Sequence, residues 1–278
     1  MQDKQTEFKK VAFIGAGNMT ASIISGMVKN GYPSDFIFAS NPSTEKLDAL
    51  NAKHNINISQ DNSAVAKQAD IIILAVKPQL MADMLSQLSL TEAEKTSKLF
   101  ISIAAGLPVS RLLELLNAPC RLIRTMPNTP SLLGLGMTGL FAPQNVTTSD
   151  KEYANQIMSA VGKTVWVEDE SGIDHIIALA GSAPAYFFLF MEGMIKEAVE
   201  LGFDEKEAKA IVQQVALGSA EMVKQNDVDI ATLRAQVTSK GGTTACALES
   251  FNQSDLTGII KKAMQAAISR SQEMAKLF

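Results

Sequence analysis

The feature that most constrains this chain is a four-residue apolar run, Val11-Ala12-Phe13-Ile14, that breaks directly into Gly15-Ala16-Gly17-Asn18-Met19-Thr20. Residues of helical composition follow from Ser22 to Lys29, and Gly31 closes them. A buried strand, a glycine turn and a helix start in that order open a βαβ unit. Gly15 permits the tight turn. Gly17 removes side-chain bulk where the backbone approaches a pyrophosphate resting on the free N–H groups of the helix start. A lone G-x-G is weak, since glycine turns are also purely structural, but a strand before it, a helix after it and further strands downstream point to dinucleotide binding. Thr20 stands where a third small residue is usual, which predicts slightly looser helix–strand packing there.

Further apolar runs rich in β-branched residues recur at Phe36–Ala39, Asp70–Val76, Leu99–Ile103, Cys120–Arg124 and Thr164–Val167, separated mostly by amphipathic stretches of helical length. Runs such as Ile71-Ile72-Ile73-Leu74 lack polar alternation, as expected for parallel strands covered by helices on both faces. After about Glu168 the strand signals stop. The remainder reads as helices over Pro184–Leu201, Glu205–Lys224, Ile230–Val237, Thr243–Phe251 and Leu256–Lys276, with Gly202 after the first, and Asp204 and Asp255 as caps. The expected fold is α/β: a Rossmann-type parallel-sheet domain at 1–168, then an all-helical domain at 169–278.

A formal net charge of -4 leaves no basic field for a nucleic acid or an anionic membrane surface. The opening Met1 to Lys10 is polar and lacks the apolar core of a secretory signal, so a cytoplasmic protein is expected. The longest apolar run, Ile176–Met191, contains Gly181 and Pro184 and reads as too short and broken to span a bilayer, hence as a buried or interface helix. Cys120 and Cys246 form no C-x-x-C pair and read as small buried hydrophobes; His54 and His175 alone do not make a catalytic zinc site, so no metal is expected.

NAD enzymes place a carboxylate at the tip of the second strand, about 20 residues past the glycine turn, to hold the adenosine ribose hydroxyl. Here the tip reads Ala39-Ser40-Asn41-Pro42-Ser43-Thr44, with hydroxyls and an amide but no carboxylate. A 2′-phosphate meets donors there and no repulsion, which favours NADPH, with NADH as the weaker donor. The same residues also make an ordinary polar turn with a helix cap. No arginine is present for the phosphate, and Lys46 is the nearest cation.

Several further segments occupy strand ends or helix starts: Ala75-Val76-Lys77-Pro78, Ala104-Ala105-Gly106, Arg124-Thr125-Met126-Pro127-Asn128-Thr129-Pro130, Gly181-Ser182-Ala183-Pro184-Ala185-Tyr186 and Gly241-Gly242-Thr243-Thr244. In this order, over nearly the whole chain from Val11, the sequence resembles pyrroline-5-carboxylate reductase. The resemblance implies an NADPH-preferring, metal-free reductase of a five-membered cyclic imine carboxylate, 1-pyrroline-5-carboxylate, giving L-proline. It also implies helical domains that interlock two subunits into a homodimer, often in a ring of dimers such as a decamer. It places cofactor contacts on Ile14, Gly15, Ala16, Gly17, Asn18 and Met19, on Ser40, Asn41 and Pro42, on Asn62 at the adenosine end, on Ala75, Val76, Lys77 and Pro78, and on Ala105. Lys77 reads equally as a solvated lysine before a turn proline, and Asn128 either as a turn residue or as a partner of the nicotinamide carboxamide. Lys240 replaces the proline usual before the two glycines, Ala183 replaces a glycine or serine, and Gln236 stands at a cofactor-proximal position that is often polar in the family; the loop before Gly241 is expected to be more mobile.

Substrate contacts are expected at Ser239, Gly241, Gly242, Thr243 and Thr244. The turn enters a helix whose first N–H groups lack partners, so a carboxylate docks there with about 0.3–1 kcal/mol, or up to ~2 when partly buried. The Thr244 hydroxyl is expected to bond the ring nitrogen and is the catalytic candidate. The bland alternative is an ordinary helix start. No His, Asp or Glu in these segments is an obvious general acid, so positioning carries the reaction and the proton comes from solvent or the protonated imine. The competing readings are a related imine or β-hydroxyacid reductase, for which Lys240 is the lysine to consider, and a non-catalytic NADPH-sensing protein.

Overall fold

The computed structural model describes residues 8–277; the first seven positions of the polar opening segment, read above as lacking a secretory core, lie outside the described residues. Eight strands, β1 (Val11–Ile14), β2 (Ile37–Ser40), β3 (Asn57–Ser59), β4 (Ile71–Leu74), β5 (Leu99–Ser102), β6 (Arg121–Met126), β7 (Gly136–Phe141) and β8 (Gly162–Trp166), form one sheet. Their spatial order is β3-β2-β1-β4-β5-β6-β7-β8. Around it lie α1 (Asn18–Lys29), α2 (Thr44–His54), α3 (Asn62–Gln68), α4 (Pro78–Ser86), α5 (Glu92–Ser97), α6 (Val109–Leu116), α7 (Thr148–Ser159) and α8 (Gly172–Ile176). The expected all-helical remainder is α9 (Ala183–Glu200), α10 (Glu205–Gln225), α11 (Ile230–Gln236), α12 (Thr243–Gln253) and α13 (Leu256–Leu277).

The unbroken apolar strands are explained by two separate cores. Val11, Phe13, Ile71, Ile73, Leu99 and Ile101 face one layer, packed with Ile23, Ile24 and Met27 of α1 and Ile157 and Met158 of α7. Their neighbours Ala12, Ile14, Ile72, Leu74 and Phe100 face the other, against Met81 and Leu85 of α4 and Leu112 and Leu116 of α6. A period-2 strand with both faces covered favours apolar residues at successive positions, without polar alternation.

Two strands carry no such signal. β3 is a three-residue edge strand, Asn57-Ile58-Ser59, mostly polar because little of it is covered. β7 holds two glycines, since a Cβ at Gly139 would lie 2.7 Å from the Ile176 side chain and one at Gly136 would collide with the Ser131 hydroxyl. β7 also runs antiparallel to β6, the exception in an otherwise parallel sheet. The link between them holds only a 3-10 turn, Thr129–Leu133, and a parallel return needs a crossover of about a dozen residues or more.

By packing, the chain forms two compact units. One ends at Ser182 and takes the chain back from Ala267 onward; the other is Ala183–Ala266. The reason is packing: Ile173, Ile176, Ala178 and Ala180 are buried, and Ser271 near the end of α13 donates to Asp174 on α8 at 2.7 Å. In the second unit Asp204 caps α10 by accepting from the Lys206 and Glu207 N–H groups, and Asp255 accepts from Gly258 at the start of α13, as the sequence predicts.

The reading of Ile176–Met191 as too short and broken is overturned. A π-helical turn at Ile177–Gly181 absorbs Gly181, and Pro184 sits in the first turn of α9, where its missing N–H does no harm. The helix runs on over Gly172–Glu200, long and apolar enough by length and composition to cross a membrane, with 17% of its apolar window buried. Phe187, Phe188, Leu189 and Phe190 all lie exposed on it in the single chain.

Cys120 is a buried hydrophobe, but Cys246 is exposed, because α12 buries no residue within its own chain. Burial pushes the Cys120 thiol up to about 11, so little thiolate exists near neutral pH. Brief alkylation of the native protein at pH 8, read by mass spectrometry, should leave Cys120 unmodified until denaturant is added; ready labelling of the native state would contradict this burial.

Candidate active site

β1 has β2 on one side and β4 on the other, so the crossover connections part at its carboxyl end, the place where open α/β sheets bind ligands. Main-chain contacts draw three strand ends together there. The Gly15 N–H donates to the Ser40 carbonyl at 2.8 Å, and the Ala75 N–H donates to Ile14 at 2.9 Å. Gly15 has φ +107, and a Cβ on it would lie 2.6 Å from the Ala75 carbonyl oxygen, so glycine is required for both reasons. Ile14 to Met19, Ser40 to Pro42, and Ala75 and Val76 thus share one crevice. The Ala105 turn adjoins it through the bond from Ile103 N–H to Leu74 at 3.1 Å.

Gly17 caps α1 without a side-chain hydrogen bond, a Cβ there would meet nothing within 4 Å, and the first turn holds no acidic residue. Open N–H groups and open space are what a phosphate-binding helix start requires. Thr20 does not loosen this turn as expected: it is buried, and its hydroxyl donates to the Gly15 carbonyl at 2.7 Å, strapping the helix to the glycine.

At the tip of β2 the structure separates residues that the sequence treats alike. Ser40 is 0% exposed and its hydroxyl faces the Phe13 carbonyl, so its side chain is turned away from solvent. Asn41 holds the tip instead: its Oδ1 accepts from the Ala16 N–H at 3.3 Å, and its Nδ2 donates to the Ser43 hydroxyl at 3.0 Å. Pro42, Ser43, Thr44 and Lys46 are exposed; residues 39–44 carry no carboxylate, and the first acidic residue is the exposed Glu45 in the opening turn of α2.

Asn62 is half-buried at the first position of α3, capped by Asp61. Lys77 is exposed at the cap of α4, where Pro78 takes the first helical position. Ala105 lies between Ala104, whose N–H donates to the Ser102 hydroxyl at 3.3 Å, and Gly106, with φ +75. Asn128 is buried with both ends of its amide used internally: Nδ2 donates to Ala180 at 3.0 Å and Oδ1 accepts from Met137 N–H at 2.9 Å. Of its two readings, the structural one matches this geometry.

The second glycine turn belongs to the other unit. The Gly242 N–H donates to the Ser239 carbonyl at 3.0 Å and Gly241 has φ +71, which defines a β-turn of type II form with Lys240 at its second position. Proline pre-forms that position, which gives its usual presence a physical reason. Gly242 caps α12, and no side chain caps the helix. The Ser239 hydroxyl lies so near Gly242 that a Cβ there would collide with it. Thr243, exposed, and Thr244, half-buried, occupy the first two positions of α12.

Elsewhere Asp61, Thr91, Thr147, Asp204 and Asp229 cap α3, α5, α7, α10 and α11 with side-chain oxygens. α2, α4, α6 and α8, behind Ser43, Lys77, Pro108 and Ser171, lack such a cap bond as well; what sets α1 and α12 apart is that they start on glycine, with no side chain at the cap position. Sequence reasoning missed the roles of Thr20 and Asn41 as tethers, because a tether is defined by its partner and not by a motif.

A family model for pyrroline-5-carboxylate reductase dimerisation matches residues 170–274, and one described as NADP oxidoreductase coenzyme F420-dependent matches 10–106. The chain is 55% identical to the pyrroline-5-carboxylate reductase of Vibrio alginolyticus over 273 residues, 98% of this chain and 100% of that protein. The solved structure of a pyrroline-5-carboxylate reductase from Coxiella burnetii superposes with TM-score 0.88 at 38% identity, covering 96% of this chain and 98% of that one. That of Plasmodium falciparum, with NADP bound, gives TM-score 0.84 at 31% identity over 97% and 99%. With a parallel-dominated sheet carrying a glycine-started helix at its switch point, and a helical region that matches the dimerisation model, this chain belongs to the pyrroline-5-carboxylate reductase family.

Proposed function

We propose that this protein reduces 1-pyrroline-5-carboxylate to L-proline with NADPH, the final step of proline synthesis. The observation that carries the reading is the pair of uncapped, glycine-started helices, one for a pyrophosphate and one for a substrate carboxylate, in a chain 55% identical to a named reductase. The residues present fit a dinucleotide: Gly17 opens the way, no side chain caps the first N–H groups of α1, and residues 39–44 at the β2 tip carry no carboxylate. The bound nicotinamide supplies a hydride.

Each residue has a physical part in this. The N–H groups of Asn18 and Met19 hold the pyrophosphate, Asn41, Ser43 and Thr44 receive the 2′-phosphate, and Asn62 borders the adenosine. The backbone of Ala75 to Pro78 and of Ala105 shapes the floor beyond the switch point. Gly241, Gly242 and Thr243 expose main-chain donors to the substrate carboxylate with the Ser239 hydroxyl beside them, and the Thr244 hydroxyl bonds the ring nitrogen. The imine carbon takes the hydride and the nitrogen keeps a proton from solvent or from the protonated imine, so the protein's work is alignment. A sensor has no use for the second anion site, and Lys240 is an exposed turn residue. Oxidation of NADPH followed at 340 nm with the cyclic imine tests the activity; no turnover by folded protein overturns it.

The dimerisation region supports self-association. We further propose a homodimer with α9 at its centre, assembled into a ring such as a decamer. Phe188, 63% exposed in the single chain, is then covered by the second subunit. Phe188→Glu should lower the mass measured by light scattering, and a monomeric wild type at micromolar concentration would refute the dimer.

Asn41→Asp places a carboxylate at the β2 tip without changing side-chain size. It should lower the NADPH-to-NADH ratio of kcat/KM roughly 10-fold or more, the effect of about 1.4 kcal/mol of like-charge repulsion. An unchanged ratio rejects the assignment of this tip to the 2′-phosphate.

Thr244→Ala removes one hydrogen bond to a group whose charge changes during reaction. By about 1.5–3 kcal/mol for such a bond, kcat/KM should fall roughly 10- to 150-fold with NADPH affinity nearly unchanged. Near-normal turnover, or equal loss of cofactor binding, would reduce Thr244 to a helix-start residue.

A further inference from the structure

A partly buried polar chain in the first unit, its Glu170 and Asp174 side chains 27% and 14% exposed, has no part in the chemistry above. Arg124 on β6 is 4% exposed; its Nη1 donates to Glu170 Oε1 at 3.0 Å and its Nη2 lies 3.8 Å from Asp174 Oδ1. The same Glu170 oxygen accepts from the N–H of Val109, the first residue of α6, at 2.7 Å. The same Asp174 oxygen accepts from the Ser271 hydroxyl at 2.7 Å, and Ser271 is also 4% exposed. Three residues further along α13, Met274 lies against Gly106, where a Cβ would be 3.2 Å from the Met274 Cβ.

All of these contacts close on the short turn after β5. At its near end the Ser102 hydroxyl accepts from Ala104 N–H, and the Thr125 hydroxyl holds the Ser102 carbonyl at 3.0 Å. At its far end Glu170 holds Val109, and over Gly106 stands Met274, on the helix that Ser271 fastens to Asp174. Arg124 joins the two arms. Stability alone does not explain such a chain, since replacing a buried ion pair by apolar groups is often neutral or favourable. What charged hydrogen bonds add is a fixed direction and distance.

We propose that Arg124, Glu170, Asp174 and Ser271 are positioning residues that set the height of the Ala104–Gly106 turn beneath the nicotinamide half of the cofactor. The proposal rests on the reading of Ala105 as a cofactor contact. The sheet order supplies the geometry: with the adenosine at β2 and the pyrophosphate at the β1/β4 switch point, the dinucleotide continues toward β5. Hydride transfer depends steeply on distance, and a displacement of about 1 Å can slow a reaction roughly 100-fold.

The test uses the full chain with Ser271→Ala, which removes one hydroxyl, and Glu170→Ala, with Glu170→Gln as the conservative variant that keeps an acceptor for Val109. Single-turnover hydride transfer at saturating NADPH should slow about 5- to 30-fold in both alanine variants, with the isotope effect from 4-deuterated NADPH on kcat rising and the KM for the imine within about twofold. Glu170→Gln should recover most of the rate. If the alanine variants only melt earlier, with rate per folded molecule and isotope effect unchanged, the chain is merely structural and the proposal is overturned. Ala105→Val separates the premises. If it impairs NADPH binding while the alanine variants transfer hydride normally, only the positioning role falls; if it leaves NADPH binding and hydride transfer intact, the cofactor reading of the turn fails and takes the proposal with it.

Discussion

At the end of β1 the main chain comes so close to β4 that a methyl group on Gly15 would lie 2.6 Å from the Ala75 carbonyl oxygen. This approach governs the N-terminal unit. It lets the Gly15 N–H reach Ser40 on one side and the Ala75 N–H reach Ile14 on the other, so the ends of β1, β2 and β4 meet in one crevice. It also aims α1 at that crevice, because the chain leaves a residue with φ +107 in a direction that other residues rarely take. Thr20 returns from the first turn of α1 to fasten the same glycine, so strand end, turn and helix start move as one piece.

The chain carries a net charge of -4, yet its two proposed ligands are anions. Local dipoles resolve the conflict: an uncapped helix start offers partial positive charge within a turn's reach, whatever the net charge of the molecule. Six helices spend that potential on their own Asp or Thr caps. α1 and α12 begin on glycine and keep it, and both are proposed here as ligand sites.

The two units differ in how they satisfy the hydrophobic effect. The sheet buries its apolar residues in two cores of its own. α9 and α12 bury none within their chain, and the rings of Phe190 and Phe251 meet at 6.1 Å while both remain exposed. A surface of that kind is stable in water when another subunit covers it, in agreement with the dimerisation model that matches 170–274.

Much of this was determined by local sequence. The β1 turn, the strands covered on both faces and the helices after Ala183 are written in period and composition, because each depends on residues a few positions apart. Asp204 and Asp255 were legible as caps for the same reason. β3 and β7 were not: an edge strand needs no apolar face, and β7 uses glycine where Ser131 and α8 press against it. The place where the units divide, the inward turn of Ser40, the tethering by Asn41 and Thr20, and the chain from Arg124 to Ser271 were decided only by tertiary structure. The Thr20 tether spans five positions, but the Asn41, Ser40 and Ser271 contacts join partners 25 to 97 positions apart, and no local pattern encodes the distance at which two remote segments come to rest.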